Sequence, residues 1–338
     1  MVTQEAAWWS ALPEGAVRCE LCPHGCRLPD GHDGPCGSRT NAGGRMIAKE
    51  YGRIVSTAVD PIEKKPLYHF HPGASILSIA AQGCNLHCRF CQNWTISQGR
   101  EAAAAAAAPE EVVALALARR SLGVAFTYSE PLVWYEFVRD TARLTRAAGL
   151  RSVIVSNGFI NPEPLRELLP LIDAANIDLK AMDDDFYRQV CGASLAPVLA
   201  TIRTCRELGV HLEVTNLVIP GCNDETAQIG RLVDFVAGVG RDVPLHFSAY
   251  RPDWQFNAPP TPSATLARVA ALARRKLEYV YVGNVRLRGG ADTVCPHCGE
   301  LCVAREGFTT RVLLRDGTHC PGCGRALPFV VPADELRS

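Results

Sequence analysis

Three cysteines in the run Gly83-Cys84-Asn85-Leu86-His87-Cys88-Arg89-Phe90-Cys91 stand at C-x3-C-x2-C spacing, directly after the apolar stretch Ser75–Ala80. A cubane iron–sulfur cluster normally takes four thiolates. Three thiolates on one short loop hold three irons and leave the fourth open to a small molecule, so this motif suits a cluster that reacts as well as carries electrons. On spacing alone, structural zinc or chance also fits. A second set, Cys295-Pro-His-Cys298-Gly and Cys320-Pro-Gly-Cys323-Gly, repeats a C-P-x-C-G knuckle, with 21 residues between Cys298 and Cys320. Two such knuckles close a tetrahedral four-thiolate site for zinc or a rubredoxin-like iron; Cys302 is the spare thiol beside it. The third set is Cys19, Cys22, Cys26 and Cys36, four cysteines within 18 residues broken by proline and glycine. That spacing indicates one metal site, and zinc, a second iron–sulfur cluster and a reduced cysteine-rich loop are all compatible with it. Cys191, Cys205 and Cys222 have no ligand-spaced neighbour and read as packed thiols.

Clustered cysteines of this kind differ from a disulfide framework and point to a reducing, cytoplasmic setting. The chain has 338 residues, 47% of them hydrophobic, enough for one large core with appendages. Its formal net charge is zero, which gives no field for nucleic acid or a membrane surface. No run of about 18 apolar residues is present, and the chain start shows no basic region followed by an apolar stretch.

The elements that must position these residues alternate. Strand-like runs at Ile76–Ala80, Val124–Thr127, Ser152–Ser156, Ala175–Leu179, Leu212–Ile219, Leu245–Ser248 and Tyr279–Val282 are separated by helical patterns, the signature of βα units on a parallel sheet. The helices expected are 109–120, 132–148, 162–169, 196–208, 225–239 and 263–276. The fold class is α/β, an incomplete (β/α)6 TIM-like barrel (75–283), with a Cys-rich N-terminal segment (1–74) and a zinc-ribbon-like module (284–338). The alanine run Ala102–Ala108 reads as a linker without function. In barrels of this type ligands are handled at the carboxyl ends of the strands. Cys84, Cys88 and Cys91 fall there, as do Tyr128-Ser129-Glu130, Ser156-Asn157, Asp178 and Lys180, and Thr215-Asn216. Singly each is a turn or a cap; together they place polar groups around one mouth.

With these residues assembled, the chain resembles the radical S-adenosylmethionine (SAM) enzymes related to pyruvate formate-lyase activating enzyme, and within them the radical SAM component of the AmmeMemoRadiSam system. The likeness is carried by the Cys-rich N-terminus, Pro61 to Tyr68, Gly83 to Asn93, Thr127 to Pro131, Ser156 to Phe159, Asp178-Leu179-Lys180 and the terminal knuckles. It implies a [4Fe–4S] cluster on Cys84, Cys88 and Cys91, with Phe90 against the adenine of SAM. It implies that Lys180 pairs with the SAM carboxylate and that Asp178 and Ser156 lie near a monovalent cation. Tyr128-Ser129-Glu130 stands where the activating enzymes carry Gly-Gly-Glu, whose backbone binds the SAM amino group, and Val155 stands where they carry an acid. The implied reaction is reductive cleavage of SAM to a 5′-deoxyadenosyl radical that takes hydrogen from a substrate. The implied partners are a low-potential flavodoxin- or ferredoxin-like donor and the other proteins of the system. A glycyl-radical activase, or a metal-bearing binding or electron-transfer module without SAM cleavage, are the alternative readings.

Overall fold

The computed structural model describes residues 4–99 and 102–331; the first residues of the chain start lie outside these. Its centre is an eight-stranded sheet. In chain order its strands are β1 (Ser56–Pro61), β2 (Ser75–Ala80), β3 (Gly123–Phe126), β4 (Arg151–Ser156), β5 (Ala174–Asp178), β6 (His211–Val218), β7 (Leu245–Ala249) and β8 (Val280–Gly283). Spatial order follows chain order, β2 to β8 are parallel, and β1 and β8 are the two edges, so the expected barrel is open. Six helices make the crossovers: α1 (Pro109–Ala118), α2 (Tyr135–Ala147), α3 (Pro162–Leu168), α4 (Leu195–Glu207), α5 (Thr226–Val239) and α6 (Ser263–Ala273). Strands covered on both faces are apolar throughout rather than alternating. Thus all four residues of β3 are buried, and Ile76 to Ala80 of β2 are buried in sequence.

Local chemistry sets the element ends. Proline opens α1, and Glu111 reaches back to accept from the Ala108 N–H at 2.7 Å, which satisfies one orphan donor of the first turn. The helix expected from Leu132 begins instead as a 3-10 turn, Pro131–Trp134, because the Glu130 carboxylate caps it by accepting from the Leu132 N–H at 3.0 Å.

Strand β1 lies antiparallel to β2 along its whole length, so the flank read from sequence as residues 1–74 shares its last strand with the central sheet. The alanine run is a partial correction as well: Ala105–Ala106 pairs antiparallel with Arg53–Ile54. The remaining N-terminal residues form a three-stranded antiparallel sheet (Trp9–Ala11, Val17–Cys19, Arg27–Leu28) and a hairpin (Arg39–Ala42, Arg45–Ala48). Arg39 fastens them to α2 through a buried ion pair with Glu136 at 2.6 Å.

At the other end, Thr293–Val294, Leu301–Glu306 and Thr309–Val312 make a small antiparallel sheet. It docks through Arg305, which donates to the Tyr68 carbonyl at 2.6 Å and lies near Glu63, both side chains being fully buried. Inside the sheet, Glu213 on β6 accepts from the His69 N–H at 2.7 Å and pairs with His246 at 2.6 Å and His211 at 3.0 Å.

Candidate functional site

A cavity of about 580 Å³ sits at the carboxyl ends of the parallel strands, the place where loop variation builds sites in such folds and a size that suits a small-molecule ligand. The loop after β2 brings Cys84, Cys88 and Cys91 to it together with Phe90. Thr127 to Glu130 after β3, Ser156 and Asn157 after β4, Asp178 and Lys180 after β5, and Thr215 on β6 complete the wall. Asn216 does not reach the cavity. It is fully buried on the other face of β6, where successive residues alternate, and its amide donates to the Leu179 and Lys180 carbonyls at 2.8 and 3.2 Å. Asn216 therefore holds the lysine loop in place.

The thiols are served by donors. The Leu86 N–H donates to Cys84 Sγ at 3.3 Å, Asn157 Nδ2 approaches the same sulfur at 3.5 Å, and Ser97 Oγ lies 3.2 Å from Cys91 Sγ. The loop is fixed by Gln98, whose amide donates to the Leu86 carbonyl at 2.9 Å while its oxygen meets His87 Nδ1 at 2.7 Å. Cys191, read as an ordinary packed thiol, lies beside Cys88, and its carbonyl accepts from the His87 N–H at 2.8 Å. No spacing rule could find it, because it arrives from the loop after β5, a hundred residues away.

Lys180 pairs with Asp178 at 3.1 Å and lies 5.9 Å from the centre of the Phe90 ring. Burial works to lower its pKa, but Asp178 and the Cys88 and Cys191 thiols outweigh this and hold the ammonium charged. Glu130 is buried, which pushes its carboxyl up to about 7 against the pull of three donors: the Asn157 N–H at 2.8 Å, the Leu132 N–H at 3.0 Å and the Ser156 hydroxyl at 2.7 Å. With both oxygens so engaged, Glu130 ties β3 to β4. Ser156 donates its hydroxyl to Glu130 at 2.7 Å, and one oxygen of Asp178 accepts from Lys180 at 3.1 Å.

Tyr128 replaces a glycine of the expected pattern yet takes a glycine-like backbone, with φ +67°. Its hydroxyl donates to Asp60, which also holds Lys64 at 2.8 Å and Lys65 at 2.7 Å, and Lys65 stacks 4.3 Å from the ring centre. These residues belong to β1 and to the Pro61–Tyr68 run, whose resemblance was visible while its role was not. A second cavity of about 780 Å³ shares Lys64, Pro66, Ser248 and Asn284 with the first, and Tyr68, Arg286 and Arg288 line it further on.

Two other cysteine sets are brought together. Cys295, Cys298, Cys320 and Cys323 have their sulfurs within 4.8 Å of one another, with Cys295 to Cys323 at 3.7 Å and Cys298 to Cys320 at 3.5 Å. Gly299 (φ +78°) and Gly324 (φ +71°) close the two knuckles in the left-handed conformation that glycine adopts without strain. Cys302 stays outside this group, 3.4 Å from the Glu300 carbonyl. Cys19, Cys22, Cys26 and Cys36 line one small pocket. Among the described residues no helix is long and apolar enough to cross a membrane.

Residues 78–233 match the Radical SAM superfamily. The chain is 42% identical over 335 residues to Uncharacterized protein MJ0808 of Methanocaldococcus jannaschii, covering 97% of this chain and 100% of that one. It is 28% identical over 165 residues to pyruvate formate-lyase 1-activating enzyme of Escherichia coli, covering 47% of this chain and 67% of that one. The fold is shared with Streptococcus suis SuiB bound to S-adenosylmethionine, at a TM-score of 0.50 and 15% identity over 62% of this chain and 52% of that one. The three-cysteine loop at the mouth of an open parallel sheet thus lies within a radical SAM domain, and the chain is a radical SAM enzyme homologous to the pyruvate formate-lyase activating enzymes.

Proposed function

We propose that Cys84, Cys88 and Cys91 hold a [4Fe–4S] cluster with one iron left for SAM, and that the chain uses it for hydrogen abstraction. The observation that carries this reading is the convergence of those three thiols with Lys180 and Phe90 on one cavity. Three thiolates on one short loop would serve three irons of a cube and leave the fourth without a protein ligand, which supports this reading. When bound, cluster and SAM supply one-electron cleavage to methionine and a 5′-deoxyadenosyl radical, which takes a hydrogen atom from the substrate.

The chain's own part is placement. Lys180 offers the SAM carboxylate a buried cation with Asp178 holding it in line, a charge-assisted contact stronger than a neutral one. Phe90, packed near Phe186 and Phe256, offers its remaining face to the adenine. The amino group is met by backbone carbonyls and the Ser129 neighbourhood, with Tyr128 held in the conformation a glycine would adopt. The substrate enters through the larger adjoining cavity, beneath the knuckle module. Zinc fills the knuckle site, the metal whose thiolate distances match it, and a low-potential flavodoxin- or ferredoxin-like protein supplies the electron.

The favoured substrate is a metabolite or macromolecule delivered with partner proteins of the AmmeMemoRadiSam system. A second reading, an activase placing a glycyl radical on a partner protein, is favoured by the homology to named activating enzymes. Transfer of deuterium from a labelled candidate partner into 5′-deoxyadenosine separates them: label arriving from a protein glycine supports the activase, and label arriving from a small molecule contradicts it.

A further inference from the structure

We infer that Cys19, Cys22, Cys26 and Cys36 bind a second iron–sulfur cluster, fully ligated by protein, that passes electrons to the Cys84–Cys88–Cys91 site. The four thiols line one pocket together with the apolar Leu21, Leu28 and Val133, the polar His24 and Asn85, and Arg39. A zinc ion would draw four thiolates to about 2.3 Å from itself, hence about 3.8 Å from one another. The knuckle thiols of the same chain show that arrangement, with pairs at 3.5 and 3.7 Å. Among the described residues, no three of the N-terminal thiols come within 4.8 Å of one another. The N-terminal thiols are therefore not drawn round a single ion as the knuckle thiols are.

The surroundings suit a cluster too. Arg39 is 2% exposed at its side chain, and its Nε–H has no hydrogen-bond partner. A buried donor left this way is costly unless it faces an acceptor, and the sulfides of an anionic cluster are such acceptors. Four protein thiolates leave no iron open, which confines the chemistry to electron transfer.

Position says where the electron goes. The Cys36 carbonyl accepts from the Cys84 N–H at 3.1 Å, so a ligand residue of one site is hydrogen-bonded to a ligand residue of the other. A second link runs from His24 Nε2 to the Asn85 carbonyl at 2.7 Å. Gly83 makes the approach possible: a Cβ there would lie 2.4 Å from the Cys36 carbonyl oxygen, and its φ is +111°. In each turnover one electron enters the N-terminal cluster from a one-electron donor protein and one leaves to the SAM site. The relay returns to its starting oxidation state, and no bond is made or broken at it.

The test uses the full chain carrying Cys84→Ala, Cys88→Ala and Cys91→Ala, reconstituted without oxygen from iron and sulfide. The expected result is about four irons per chain and an EPR signal after dithionite that SAM does not alter. Zinc or no metal at the N-terminal cysteines would overturn the inference, and because the SAM-site thiols are gone, neither result bears on the function proposed above. If the triple variant does not fold, Cys22→Ser in the otherwise intact chain is expected to halve the iron while the SAM-sensitive signal survives. Unchanged iron in Cys22→Ser overturns the site. The relay is read in the intact reduced protein, where two reduced clusters this close broaden each other's EPR signals. Two independent, unbroadened signals would overturn it.

Discussion

Single residues decide how tightly the proposed SAM site is organised. Tyr128 holds a positive φ that costs an ordinary side chain about 1–2 kcal/mol, and its hydroxyl bond to Asp60, itself gripped by two lysines, offsets that cost. Lys180 holds its ammonium 5.9 Å from the centre of the Phe90 ring. A charged hydrogen bond is worth about 1.5–3 kcal/mol, so Lys180→Ala is expected to weaken SAM binding about ten- to a hundredfold without removing iron. A titration of SAM followed by the cluster EPR signal checks this, and unchanged affinity would mean that the carboxylate binds elsewhere. Gly83 is a second critical point. Gly83→Ala places a methyl group into the Cys36 carbonyl as well as straining the backbone, so its destabilisation is expected to exceed the 1–2 kcal/mol of a positive φ alone. A urea midpoint equal to that of the parent would contradict the packing described.

At the scale of elements, the sheet encloses a polar layer with its own pH response. His69 is fully buried, stacked on Phe329 at 4.2 Å, with its Nε2 2.5 Å from the Tyr281 hydroxyl and with Glu213, His211, His246 and Arg305 around it. Burial lowers its pKa to about 3 from the usual 6.5. Between these values the unfolded chain binds the proton and the folded chain does not, so stability falls as pH falls from about 6.5 towards 3. The loss is at most about 1.4 kcal/mol per pH unit for one such group. His71, lowered to about 4 by burial, acts in the same direction. The urea midpoint is expected to drop between pH 7.5 and 5.5, and to drop less in His69→Gln; equal drops would place the proton uptake elsewhere. The seven parallel strands and their helices were legible in sequence because buried βα units write continuous apolar runs and helical periodicity. Strand β1 was not, since its alternating, partly exposed residues Ser56–Pro61 follow a Cys-rich stretch and gain meaning only beside β2. Likewise, Cys84, Cys88, Cys91 and Lys180 could be read from local spacing and strand ends. Cys191 and the Asp60–Tyr128 contact could not, because only the fold brings them to the site.

Across the whole molecule, the three cysteine sets lie apart: the knuckles in the C-terminal module, the N-terminal set in a pocket that abuts the loop after β2, and Cys84, Cys88 and Cys91 on the cavity at the sheet's mouth. The knuckle module packs round a small core of Cys295, Cys302, Val303, Cys320, Leu327 and Phe329, and zinc bound as proposed would add its binding free energy to the folding of that core. Cys320→Ala is therefore expected to lose zinc and lower thermal stability while the brown chromophore of the cluster survives. Bleaching of that chromophore would assign the knuckles to an iron–sulfur site instead. The account as a whole depends on SAM reacting at a cluster held by three cysteines. The most direct test is oxygen-free reconstitution followed by dithionite and SAM, with the products separated by chromatography. The account predicts 5′-deoxyadenosine and methionine from the parent protein and neither from Cys88→Ala. An intact cluster spectrum without 5′-deoxyadenosine from the parent, or undiminished product from Cys88→Ala, would contradict it.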